Sequence, residues 1–275
     1  DFAFMSPDFR EADYVEQNGE LCRIAEHNFG VLGLHHVTVH CDSAAHFLQE
    51  ANPYDLIYLD PARRDDAGRK VFRIEDCTPD LTSLKERLLE RAGHVMVKYS
   101  PMLDISLATK TLGNVREVHV VSVDNECKEL LFLLSKTAGE VPQYVAVNLK
   151  RSGEKERFSF SVAQEQQADI SFADSPGRYL YEPNASILKA GAFKSVAQSY
   201  NLQKLHINSH LYTSNVLVAD FPGRIFEIET FFVPNKQNSK SFAMETKKAN
   251  IAVRNFPMTV AEIRRKTGLA DGGDL

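Results

Sequence analysis

The feature that most constrains this chain is the run Tyr54-Asp55-Leu56-Ile57-Tyr58-Leu59-Asp60-Pro61-Ala62-Arg63-Arg64. Its apolar residues, among them one β-branched and two aromatic side chains, read as a strand buried on both faces, the kind found inside a parallel sheet. Proline donates nothing to a ladder, so the strand stops at Asp60. An acid at the carboxyl end of a parallel strand lies where open α/β sheets bind their ligands, and Asp60 is therefore the first candidate for a functional side chain.

The 138 residues around this strand alternate between the strand and helix periods. Strands are predicted at 12–16, 36–41, 54–60 and 94–99. Helices are predicted at 20–29 with Leu21, Ile24, Ala25 and Phe29 on one face, at 43–50 capped by Asp42 or Ser43, at 81–91 capped by Thr78 or Asp80, and from Asp104 to 112. Segments 115–123 and 129–135 close the series as an antiparallel pair around Asp124-Asn125, because the connection is too short for a crossover. Alternation of this kind specifies an α/β fold with a doubly wound, Rossmann-like sheet.

Taken together, Tyr14-Val15-Glu16-Gln17-Asn18, the acid Asp42 after the next strand, Asp60-Pro61-Ala62-Arg63 after the third and the final antiparallel pair resemble a class I S-adenosylmethionine-dependent methyltransferase. The resemblance covers half of the chain and implies S-adenosylmethionine as cofactor. Glu16 would accept hydrogen bonds from the ribose hydroxyls, Asp42 from the adenine amino group, and Asp60 and Pro61 would line the same site. The competing reading makes Glu16 and Asp42 solvated loop acids or helix caps. The family's first strand and glycine-rich turn have no counterpart in residues 1–20, where Gly19 is isolated and Asp1-Phe2-Ala3-Phe4-Met5 reads as the body of the helix that follows that turn. The methyltransferase sheet is accordingly expected to lack its first strand, and this stretch of chain to bind the cofactor poorly and to be inactive by itself. In the family the absent strand separates those ending at Glu16 and Asp60. These two are expected either to pair directly or to have another segment or chain between them, since buried unpaired backbone groups cost about 1–3 kcal/mol each.

Around Asp60 the chemistry can be narrowed by comparison. Methyltransferases of exocyclic amines follow the acid with Pro-Pro and an aromatic ring, whereas Ala62 and Arg63 stand in those places here. Asp-Pro-x-Arg resembles the RNA uridine C5 methyltransferases, which use a cysteine nucleophile after the next strand. That place holds Val97-Lys98-Tyr99-Ser100-Pro101, which argues against covalent C5 chemistry. The candidate catalytic set is Asp60 as proton acceptor, Lys98 to contact a phosphate or hold an acid, and Tyr99 to stack on a base. Arg63 is a candidate RNA contact, against the reading that Arg63-Arg64-Asp65-Asp66 is a solvated, ion-paired loop.

Beyond Thr137 the pattern changes. Segments 144–149 and 157–162 form a hairpin around Ser152-Gly153-Glu154, with 170–172 as a third strand. A helix capped by Asn184 is predicted from 185 to 200, short strands at 204–207 and 215–219, and a turn at Phe221-Pro222-Gly223-Arg224 leading into a strand at 225–232. A further strand at 250–256 stops at Pro257, and Thr259-Val260-Ala261-Glu262 is a capping box for a helix that Gly268 ends. Tyr181-Glu182-Pro183-Asn184, Lys189-Ala190-Gly191, Phe221 to Arg224 and Ala249 to Pro257 resemble the THUMP-like domain fused to methyltransferases, which implies an RNA-docking module. Three domains are expected: residues 1–138, methyltransferase-like and incomplete at the amino end; 139–182, a small β-hairpin or ferredoxin-like segment; and 183–275, an α+β THUMP-like domain.

Charge points the same way. Through Ala138 there are 15 Lys and Arg against 23 Asp and Glu, whereas between Lys189 and Lys266 there are 12 against 5. A basic segment joined to an acidic one fits a polyanionic partner, here RNA. Lys247, Lys248, Arg254, Arg264, Arg265 and Lys266 are the candidate phosphate contacts, their alternative being a solvated helix face and strand end. Cys22, Cys41, Cys77 and Cys127 form no C-x-x-C pair and read as reduced residues in or near the core, with no metal expected. No run of about 18 apolar residues and no charged start ahead of an apolar stretch occurs, so a cytoplasmic protein without a membrane partner is expected. The function expected is methyl transfer to RNA; the alternative is a non-catalytic RNA-binding protein that keeps the fold.

Overall fold

The computed structural model describes residues 1–62, 74–75, 77–137, 139, 141–233 and 235–273. The chain forms two compact units, the first made of Asp1–His119 and Glu129–Pro142, the second of Val120–Lys128 and the residues from Gln143 onward.

In the first unit the order is α1 (Phe2–Met5), β1 (Ala12–Glu16), α2 (Gly19–Val31), β2 (Val37–Cys41), α3 (Ala44–Glu50), β3 (Tyr54–Leu59), α4 (Leu81–Arg91), β4 (Ala92–Tyr99) and α5 (Ile105–Leu112), then the hairpin β5 (Val115–Val123) and β6 (Glu126–Leu134). Helices start where a side chain satisfies the free amides of the first turn. Asn18, Ser43, Asp80 and Asp104 each accept such a bond, a contribution of about 1 kcal/mol apiece. The hairpin turns at Asp124 and Asn125, with φ of 48° and 63°, because a right-twisted strand pair needs two positive φ values and these side chains tolerate them.

Strands β1 and β2 pair in parallel as a sheet of their own. The larger sheet of this unit runs β3-β4-β6-β5, with β3 and β4 parallel and β6 antiparallel to β4. Val95, Val97 and Tyr99 share one face of β4 by the two-residue period and are buried, as are Leu130, Phe132 and Leu134 of β6. Helix α4, whose Leu81, Leu84, Leu88 and Leu89 are buried, packs against β4. Each such side chain contributes about 1.5–3 kcal/mol by leaving water.

Two sequence expectations change here, and of the two alternatives left open for β1 and β3 direct pairing is removed. Strand β3 is not buried on both faces: only Leu59 is buried and Asp55 is exposed, because among the described residues β3 ends its sheet and has a ladder partner on one side only. Nor do β1 and β3 pair with each other; they belong to separate sheets, and side chains bridge them instead, the Tyr54 hydroxyl donating to Asp13 at 2.6 Å while His40 meets the other Asp13 oxygen at 2.7 Å. Finally, α2 buries Cys22 and Phe29, whereas Leu21 and Ile24 are 46% and 55% exposed. The helix is turned by its anchors: Phe29 packs on Phe2 and Tyr14, and Cys22 donates to the carbonyl of Glu16.

The second unit holds the tip of the β5–β6 hairpin, then β7 (Gln143–Leu149) and β8 (Lys155–Ser161), paired antiparallel from Gln143 with Ser161 to Leu149 with Lys155. Next come α6 (Val162–Gln167), β9 (Tyr179–Pro183), α7 (Ala185–Ala190), α8 (Ser195–Ser199), β10 (Gln203–His206), β11 (Ser209–Ser214), β12 (Gly223–Glu227), α9 (Lys236–Thr246) and α10 (Val260–Thr267). The last four strands form one antiparallel sheet in the order β10-β11-β9-β12. A Cβ on Gly223 would fall 2.2 Å from the carbonyl oxygen of Glu182, so only glycine lets β12 lie against β9 there.

Helix α10 has the capping box of Thr259 and Glu262 and ends at Gly268 with φ 79°, as the sequence indicates. Elsewhere the reading shifts. The helix expected over 185–200 is broken after Ala190, where Gly191 takes φ 82°. The strand precedes 215–219 rather than occupying it, and β12 ends at Glu227. Segment 170–172 gives a single bridge from Phe172 to Lys204. Residues 250–256 form no strand; they are held by a side chain, Arg254 donating to Glu182 of β9.

Candidate functional site

Glu16 and Asp42 follow adjacent parallel strands, and the register pairs Glu16 with Cys41, so both acids sit at the same carboxyl edge. The amide of Asp42 donates to the Glu16 carbonyl at 3.0 Å. One carboxylate oxygen of Glu16 accepts from the Asn18 amide at 2.8 Å, fixing the turn into α2 that Asn18 caps. Its second oxygen has no partner among the described residues and can accept a hydroxyl pair. Asp42 is more fully used, accepting from the Ser43 amide at 2.7 Å and meeting His46 at 2.6 Å. The hydrogen bond from His46, partly opposed by desolvation, holds its carboxyl below the ordinary value, and the same bond raises the His46 imidazole. Ser43, not Asp42, is the N-cap of α3, which leaves Asp42 able to add one more donor on a remaining lone pair.

Asp60 lies one residue beyond β3, and the pairing of Leu59 with Val97 brings it beside Lys98 at 2.6 Å. Lys98 also donates to Asp1, which accepts in turn from the Tyr58 hydroxyl at 2.9 Å. Burial pulls the Lys98 ammonium down, but the hydrogen bond and charge of Asp60 outweigh it and hold the group above its ordinary value. The Asp60 side chain remains 47% exposed against 20% for Lys98. Behind it Pro61 is buried, and Ala62 and Thr78 exchange backbone bonds of 2.8 and 3.1 Å, so the Asp-Pro-Ala turn is pinned from below. A half-exposed carboxylate with its charge offset by a fixed ammonium can accept a hydrogen bond from an amine or hydroxyl.

Tyr99 does not join this group. It is 4% exposed, packs edge-on against Phe132, and burial raises its hydroxyl pKa. Strand alternation explains the difference: if Lys98 faces Asp60, its neighbour must face the core. The ring of Tyr99 is therefore committed to the core and not presented to a base. Tyr58, conversely, was not singled out in the sequence, although its place two residues before Asp60 puts both on one face; Asp1 carries no such local signal.

Of the candidate phosphate contacts, Arg63 lies outside the described residues. Arg254 and Arg224 both donate to Glu182, which is 6% exposed. Arg264 donates to Asp271 and to the carbonyls of Ala249 and Leu269. The charges of Arg224 and Arg254 are spent within the unit, since a buried carboxylate left unpaired is strongly destabilising, whereas Arg264 meets an exposed acid. Lys266 rests its ammonium 3.1 Å from the Met258 sulfur. Lys247, Lys248 and Arg265 are exposed and make no ion pair among the described residues. In the same residues no helix is long and apolar enough to cross a membrane, and no cluster of His, Cys, Asp or Glu could hold a metal ion.

Comparison with known proteins places these features. The family model of a ferredoxin-like domain matches residues 179–222, and that of a THUMP domain-like module matches 223–275. Among solved structures, a protein of Porphyromonas gingivalis W83 assigned as a methyltransferase is 36% identical, with a TM-score of 0.89 over 99% of this chain and 69% of its own. A SAM-dependent methyltransferase of Agrobacterium tumefaciens aligns over 55% of this chain and 47% of its own, at 17% identity and a TM-score of 0.33. No curated protein matches. With that identity to the Porphyromonas protein across nearly all of this chain and over two thirds of the other, the protein belongs to the same methyltransferase family, carrying a THUMP-like domain at its carboxyl end.

Proposed function

We propose that the protein transfers a methyl group from S-adenosylmethionine to RNA, with the first unit carrying the chemistry and the THUMP-like domain docking the substrate. The observation that carries this reading is the Asp60–Lys98 pair, an accessible acid with a fixed counter-charge at the carboxyl ends of two parallel strands. S-adenosylmethionine supplies an electrophilic methyl group on a sulfonium. Glu16, with one carboxylate oxygen free, suits the ribose hydroxyls, and Asp42 suits an adenine amino group only as a further donor beside Ser43 and His46. Asp60 accepts the hydrogen of the attacking amine or hydroxyl, which orients its lone pair and takes up the proton as charge develops. Lys98 holds Asp60 in place and offsets its charge.

RNA as the substrate is supported by the THUMP domain-like match and by the exposed Lys247, Lys248 and Arg265, whose charges are not used internally. Incubation of the protein at its full natural length with methyl-labelled S-adenosylmethionine and total cellular RNA, followed by nuclease mapping, tests the proposal. Label in RNA that disappears with Asp60→Asn supports it. Calorimetric titration separates the non-catalytic alternative: RNA binding without any binding of S-adenosylmethionine would replace the enzyme reading by that of an RNA-binding protein.

A further inference from the structure

We propose that Cys22 and Cys41 form a redox-modifiable thiol pair, able to close to a disulfide that ties the first turns of α2 to the end of β2. Three contacts bring them together. Cys41 is the ladder partner of Glu16, and the Cys22 thiol donates to the carbonyl of that same Glu16 at 3.1 Å. The Cys41 sulfur, in turn, lies 3.8 Å from the position a Cβ would take on Gly19, the first residue of α2. The first turn of α2, which carries Cys22 three residues after Gly19, thus lies against the Cys41 side chain.

The pair is asymmetric in the way a reversible thiol switch requires. Cys41 is exposed, while Cys22 is buried. Burial first, then the neighbouring Cys41 and the Glu16 charge, push the Cys22 thiol up to about 11. Cys41 is therefore the thiol that an oxidant reaches, and Cys22 the one that resolves. With a hydroperoxide, the Cys41 thiolate sulfur attacks the distal oxygen, the O–O bond breaks, and the departing alkoxide or hydroxide takes up a proton, leaving a sulfenic acid. The Cys22 sulfur then attacks the Cys41 sulfur, the S–O bond breaks, and the hydroxyl leaves as water with the Cys22 proton. Two thiols lose two electrons, and the peroxide is reduced by two. The product loses the bond from Cys22 to the Glu16 carbonyl and brackets Glu16 and Asp42 between two covalently joined elements.

This inference stands apart from the identity of the methyl donor, because its primary readout is chemical. The full chain is treated with hydrogen peroxide, blocked with an alkylating agent and mapped by peptide mass. The expected result is a Cys22–Cys41 cross-linked peptide that dithiothreitol reverses, that Cys41→Ser abolishes and that Cys127→Ser leaves intact. In Cys41→Ser, Cys22 should stay a free thiol. Progression of Cys41 to sulfinic or sulfonic acid with Cys22 still alkylatable, or linkage of Cys22 to Cys77 or Cys127 instead, would overturn the proposal. Failure of the protein to bind S-adenosylmethionine would leave this result untouched, so the two readings fail separately.

Discussion

Glu182 and Asp60 are both carboxylates held by cations, yet they are built differently. Glu182 is 6% exposed and gives one oxygen to Arg224 and the other to Arg254. Asp60 leaves 47% of its side chain in solvent and meets Lys98 at 2.6 Å. The first arrangement saturates the acid, so its chemistry is exhausted by holding two segments together. The second leaves acceptor capacity facing outward, which is what a substrate needs. Pairing with a cation does not by itself mark a site; what remains unpaired after the pairing does.

Mutation can break this contrast. Replacing Arg224 and Arg254 together by alanine leaves a buried carboxylate without a partner and should cost about 3–5 kcal/mol of stability in urea denaturation; a loss below about 1 kcal/mol would make Glu182 no more structural than Asp60. Asp60→Asn should do the reverse, lowering methyl transfer by about 100-fold or more while costing no more than about 1 kcal/mol, as befits an exposed pair. Equal damage to folding and activity would erase the distinction.

Smaller effects sharpen the contrast. Lys247, Lys248 and Arg265 changed together to glutamine should flatten the salt dependence of RNA binding by a slope of about 2–3 in log–log terms. Arg254→Gln should leave that slope unchanged because its charge is already spent. The smallest effect concerns the edge at Asp42. His46 is raised from 6.5 by Asp42, so its contribution is fully present below that value and is lost as pH climbs through the raised one. Asp42 is lowered from 3.8, so its contribution is present above that value and is lost as pH falls through the lowered one. An NMR titration of the His46 ring should move back toward 6.5 in Asp42→Asn; an unchanged midpoint would mean the pair is not formed in solution.

Local chemistry was legible in the sequence wherever it was sufficient. The Asp124-Asn125 turn and the Thr259–Glu262 capping box specify their geometry with the residues at hand, and both form as read. The carboxyl ends of the strands were legible for the same reason, since proline and the helix caps punctuate them. What failed needed a partner distant in sequence. Arg254 reads as a free charge until Glu182, 72 residues earlier, is seen to claim it. The buried face of α2 could not be read from apolar spacing, because Phe2 and the Glu16 carbonyl decide it. Tyr99 is a different failure: alternation along β4 already forbade it to face the site together with Lys98, and the rule was available without coordinates.

Strand β3 also bears on strand addition to this protein. Tyr54-Asp55-Leu56-Ile57-Tyr58-Leu59 has high strand propensity and a single charge, and one of its sides has no ladder partner among the described residues. Six such residues along a side without a ladder partner among the described residues are a template for an added strand, and natural sheets usually guard unpaired edges with lysine, proline or a bulge. None of these guards stands within β3. The strand that delivers Asp60 to its place thus carries, on the side without a ladder partner among the described residues, a sequence suited to accept an extended segment.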